Sequence, residues 1–151
     1  MEIRGEVSSP PAQFPAHAET IDTMKRDSDN IPRNVLGGPL QVCSEAPRTG
    51  FYRDGCCNVG PDDLGVHAVC VRVTAEFLEF SAERGNDLST PMPEYAVPGL
   101  ESGDRWCLVA LRWVEALQAG MAPRVVLAAT HQSVLRFVEI EVLRKYALDV
   151  S

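Results

Sequence analysis

No apolar run in this chain approaches the roughly 20 residues needed to cross a bilayer, and Met1-Glu2-Ile3-Arg4-Gly5-Glu6 lacks the apolar region of a secretory signal. The expectation is a cytoplasmic protein with no membrane partner. Clustered basic charge is missing too. The 14 Lys and Arg residues are scattered, the formal net charge is −7, and the longest basic runs are Lys25-Arg26 and Arg144-Lys145, which excludes the phosphate-neutralising surface that nucleic-acid binding requires. Gly37-Gly38-Pro39 is a turn without the Lys-Ser/Thr that would make it a phosphate loop. The chain also lacks the paired Cys-x-x-Cys spacing of zinc knuckles. Its 5 cysteines form an odd set in a chain with 45% hydrophobic residues, enough for an ordinary core. They therefore read as reduced thiols rather than the framework of a small disulfide scaffold.

Residues 1–33 contain Pro10, Pro11, Pro15 and Pro32 among Ser, Thr, Asp and Glu, and predict a flexible acidic N-terminal tail. Residues 34–151 predict one domain. Val66 to Val73 reads as a strand, and Thr74 caps a helix ending at Gly85, with Phe77, Leu78, Phe80 and Ala82 inside and Glu76, Glu79 and Glu83 in solvent. Asn86 to Gly103 holds Pro91, Pro93 and Pro98 and predicts a long ordered loop. A strand at Arg105 to Ala110 leads into a helix with Leu111, Val114 and Leu117 on its inner face, closed by Gly120. Val125 to Ala129 reads as a strand covered on both faces, Thr130 as the cap of a third helix, and Ile140, Leu143 and Ala147 as the inner face of a fourth. Strands alternating with helices predict an α/β fold: a small three-layer domain with a mostly parallel sheet and long loops.

The densest chemistry lies in Gly50-Phe51-Tyr52-Arg53-Asp54-Gly55-Cys56-Cys57-Asn58, with His67 and Cys70 following. Cys56 or Cys57 is the candidate nucleophile or redox thiol, since a thiolate needs a cationic neighbour and Arg53 and His67 are at hand. Asp54 joins them as a candidate catalytic residue. The commoner alternative is that one cysteine packs inward as a small hydrophobe while the other caps a turn. A zinc site from Cys43, Cys56 or Cys57 and His67 is a third reading. Zinc with His67 and Cys70 together is disfavoured, because residues three apart on a strand face opposite ways. Arg53, Asn86 and Asp87 can line a small-molecule site, or simply satisfy loop backbone. His131 is placed at the opposite sheet edge, at the first turn of a helix, as a neutral hydrogen-bonding group or, more commonly for such a position, a simply exposed side chain. Trp106 and Trp113 are core anchors.

Asn34-Val35-Leu36-Gly37, Thr49 through Cys57, Gly85-Asn86-Asp87-Leu88-Ser89-Thr90-Pro91, Pro98-Gly99-Leu100, Gly103 through Leu108, Arg112-Trp113 and Thr130-His131 together resemble a bacterial family known as domain of unknown function 2237. The resemblance runs from Asn34 to about Ala147. It implies no activity and no cofactor, and Val109 stands where many members carry a second cysteine after Trp-Cys-Leu. The functional expectation is therefore a small-molecule-binding, thiol-dependent enzyme centred on Arg53 to Cys57. The rival is a noncatalytic protein-binding or homodimerising module with an apolar patch at Met92 to Leu100.

Overall fold

The structure, a computed structural model, describes residues 31–95 and 98–149, so most of the predicted tail lies outside the described residues. Three strands form one sheet: β1 is Val69–Arg72, β2 is Arg105–Leu108 and β3 is Arg124–Val125. Their order is β2-β1-β3, and both pairings are antiparallel. The expected mostly parallel sheet is thus overturned, and the chain path gives the reason. Helix α1, Ala75–Glu83, carries the chain back from the end of β1. The long proline loop then returns it to that same end, where Val73 and Asp104 are hydrogen-bonded through their backbones and Gly103 donates to Val73. An even number of passes makes the next strand antiparallel. The crossover element exists nonetheless. Helix α2, Ala110–Gln118, links β2 to β3, which run the same way with β1 inserted between them.

Strand alternation sorts the side chains. Val69, Val71, Trp106, Leu108 and Val125 belong to the main core with Phe77, Leu78, Ala110, Trp113, Ala116 and Leu143. Cys70 and Cys107, cross-strand partners of one another, belong to a second buried cluster with Cys43, Cys57, Val126 and Ala129. Both tryptophans are core residues as expected, and Trp113 Nε1 donates to the Pro123 carbonyl at 3.1 Å.

Thr74 caps α1 through its side chain, accepting from Phe77 N at 3.0 Å, and Glu76, Glu79 and Glu83 are exposed. Ser81 rather than Ala82 completes the buried face, because its hydroxyl donates to the Asn86 carbonyl at 2.7 Å. In α2 the fully buried face is Ala110, Trp113 and Ala116; of the expected inner residues Val114 and Leu117 pack partly buried against the core, and Leu111 is exposed. The ring of Trp113 sets the helix's rotation, since burying it offers more apolar area than any leucine. Beyond β3 the chain leaves the extended conformation at once. Leu127–Ala129 and Gln132–Arg136 are 3-10 turns, and the apolar run that resembles a covered strand is instead buried as turns. His131, not Thr130, caps the second of these. Helix α3, Ile140–Lys145, buries Leu143 and ends in Arg144 and Lys145, which complement its dipole. No helix among the described residues is long and apolar enough to cross a membrane.

Candidate acid–base site and the cysteine loop

The loop from Cys43 to Cys57 closes on itself. Gly55 accepts from the backbone N–H groups of Cys43 and Ser44 and donates to Thr49, while Arg53 donates to Gly50. Gly50 has φ 97°, and a Cβ there would meet the Cys56 carbonyl oxygen at 2.3 Å, so only glycine fits. The loop is tied to the edge of β2 by Thr49, fully buried, whose Oγ1 accepts from Cys107 N at 2.7 Å. Arg53 adopts φ 54° and lies over the Trp106 ring at 5.2 Å. Its side chain also donates to the Gly50 carbonyl, and burial lowers its pKa from the ordinary guanidinium value. Its roles are cation–π packing and closure of this turn.

Of the expected thiols, Cys57 is wholly buried and bonded to Cys107, and Cys43 is bonded to Cys70. The expected set of reduced cysteines is corrected accordingly. Local sequence spacing hid these pairings, because the partners lie 27 and 50 residues apart and meet only when the loop folds over the sheet. Cys56 is the free thiol, half-buried beside them. Burial first, then Asp54 and Glu45, pushes its pKa above the ordinary thiol value, the opposite of what an activated thiolate needs. Asp54 Oδ1 accepts from Cys56 N at 3.0 Å, a loop-capping role.

His67 stands immediately before β1, which is shorter than the Val66 to Val73 strand read from sequence. The residue that organises it is Asp63, missed by sequence reasoning, and the one carboxylate buried among the described residues. Its Oδ1 lies 2.7 Å from His67 Nδ1 and accepts from Val66 N at 3.0 Å; its Oδ2 accepts from His67 N at 2.8 Å. Val66 between them has φ 59°, a costly conformation for a β-branched residue, held by this bonding. A carboxylate only accepts, so Nδ1 is the donor in this contact, and in the neutral ring Nε2 is the acceptor nitrogen. The Phe51 ring lies 5.5 Å from the imidazole and Tyr52 stacks edge-on against Phe51 at 5.1 Å. Both aromatic rings are partly exposed. The signal available in sequence was the Asp63 to His67 spacing of four, obscured by an intervening Gly65.

A family model described as "Uncharacterized protein conserved in bacteria (DUF2237)" matches residues 33–147. The chain belongs to this family. None of the curated proteins compared with it matches.

The DUF2237 segment contains every candidate residue, and the antiparallel sheet moves one of them. His131 donates its backbone N–H to Ala68 O at 2.9 Å, so it sits at the same sheet end as His67, not at the opposite edge expected from parallel strands. Its Nδ1 accepts from Ser133 N at 3.0 Å, and burial, then Arg136, lowers its pKa from the ordinary value. Asn34, buried, satisfies all of its side-chain groups on Leu36, Gly38, Pro39 and Ala128. Asn86 is tied to α1 through its backbone, donating to Ser81 O and accepting from Ser81 Oγ. Asp87 accepts from Ser89 N, Thr90 N and Thr90 Oγ1, and these bonds lower its pKa. Of the expected docking patch, Met92 is exposed but Leu100 is buried, and residues 96–97 lie outside the described set. The zinc combination involving His67 is not assembled. The potential ligand atoms that do converge are the sulfurs of Cys43, Cys57 and Cys70, all within 4.8 Å of one another.

Proposed function

We propose that this protein binds a small molecule against Phe51 and Tyr52 and uses His67 as its acid–base group. The observation that carries this reading is the buried Asp63 carboxylate on His67 Nδ1. The two backbone N–H groups are accepted by different carboxylate oxygens, so an asparagine, with one acceptor oxygen and an amide donor, would not replace it. The carboxylate also orients the imidazole and fixes the tautomer that turns Nε2 toward a ligand as the acceptor nitrogen. The partly exposed Phe51 and Tyr52 supply apolar surface for a ligand beside it. Cys56 borders the same loop with a thiol held protonated, so a thiol-dependent mechanism draws less support than proton transfer by His67.

The test is a thermal-shift screen of small metabolites, followed by histidine and aromatic resonance mapping of the hits. A ligand that shifts the His67 and Phe51 signals, that still binds His67→Gln, and that is turned over only by the wild type supports the reading. Hits that leave the His67 ring unperturbed would refute it.

A further inference from the structure

Cys43, Cys57, Cys70 and Cys107 come from separate points along the chain, two in the folded-over loop and two on adjacent strands, and each is at most 3% exposed. Two disulfides account for the linkage within each pair. They do not account for the convergence of the pairs. The cross-strand pairing of Cys70 with Cys107 sets the two bonds side by side, the sulfurs of Cys43, Cys57 and Cys70 are mutually within 4.8 Å, and that of Cys107 is bonded to Cys57. Four thiolates around one ion do require that convergence. Zinc–sulfur bonds of about 2.3 Å in a tetrahedron place neighbouring sulfurs about 3.8 Å apart, within the 4.8 Å that bounds the sulfurs of Cys43, Cys57 and Cys70.

The backbone beneath the sulfurs is held independently of their bonding. Cys70 N donates to Thr130 Oγ1 at 3.1 Å and Cys107 N to Thr49 Oγ1 at 2.7 Å, and both threonines are fully buried. Cys43 N donates to Gly55 O at 2.8 Å. The positions of three ligands are therefore fixed by hydrogen bonds that survive reduction, the preorganisation a metal site needs.

We propose that, when reduced, Cys43, Cys57, Cys70 and Cys107 hold a structural zinc ion as a closed tetrathiolate, and that the paired disulfides are its oxidised, metal-free form. Hydrogen peroxide is the class of oxidant that converts one into the other. Two molecules of it take four electrons from the four thiolates. The Cys43–Cys70 and Cys57–Cys107 bonds form, both peroxide O–O bonds break, four protons from solvent complete four waters, and Zn²⁺ is released. Cys56 lies outside the ligand set, as does His67, so this proposal stands apart from the acid–base reading.

The full-length chain is reduced anaerobically, loaded with zinc or cobalt, desalted and measured for metal, for thiols and for far-ultraviolet circular dichroism. The expected result is about one metal per chain, an intense visible cobalt spectrum of tetrahedral thiolate ligation, and peroxide-driven zinc release that leaves Cys56 as the remaining thiol. Cys56→Ser retains all of this, and Cys43→Ser and Cys107→Ser lose the stoichiometric metal. A reduced wild-type chain that takes up no metal, whether folded or unfolded, overturns the proposal. So does metal that is lost in Cys56→Ser or kept in Cys107→Ser.

Discussion

At the scale of single residues, the chemistry rests on which polar groups are fixed by others. Asp63 holds His67, so Asp63→Asn removes the negative charge beside the imidazole and replaces one of the two acceptor oxygens with an amide donor. Because the group is buried and hydrogen-bonded, the expected loss is about 1–3 kcal/mol in urea unfolding. Cys56 is held back by its surroundings: alkylation by iodoacetamide at neutral pH is expected to be slower than for a free cysteine peptide, and Asp54→Asn is expected to speed it by removing one of the charges that raise the thiol's pKa. His131 makes the third case. Its pKa is lowered in the folded state, so the stability it contributes is fully present above the unfolded value of about 6.5 and is lost as pH falls through the folded value. In His131→Asn, whose amide oxygen can still accept from Ser133 N, thermal unfolding is expected to lose that segment of acid sensitivity.

Among elements, the decisive contacts are between the loop and the sheet rather than within either. Thr49 closes the edge of β2, satisfying a backbone N–H that would otherwise be buried without a partner. Thr49→Val preserves shape and removes the acceptor, with an expected cost of about 1–3 kcal/mol in denaturant unfolding. The helices were legible because their signals are local: the Thr74 cap, the glutamate stripe of α1 and the basic end of α3 all stand within one or two turns. Their rotation was less so. In α2 both the Leu111 and Trp113 faces are apolar enough in sequence, and the packing of Trp113 chose between them.

The whole molecule is cross-linked in two overlapping spans, joining the loop to both strands of its smaller buried cluster. By the chain-entropy relation, closing a span of 27 residues contributes about 3.5 kcal/mol. A reductant together with a metal chelator is therefore expected to lower the unfolding midpoint in urea sharply, where either treatment applied to Cys43→Ala/Cys70→Ala has a smaller effect.

The sequence by itself determined the family, the helix capped by Thr74, the tryptophan core and the loop in which the unusual side chains gather, because each depends on neighbours in the chain or on a recurring set of motifs. Strand direction, the pairing of Cys43 with Cys70 and Cys57 with Cys107, and the arrival of His131 beside Ala68 were decided only by tertiary structure. Strand direction depends on how many times the chain crosses the molecule between strands, and a proline-rich loop that makes one crossing has no periodicity by which to announce it. Once that crossing is made, residues far apart in sequence meet at one end of the sheet.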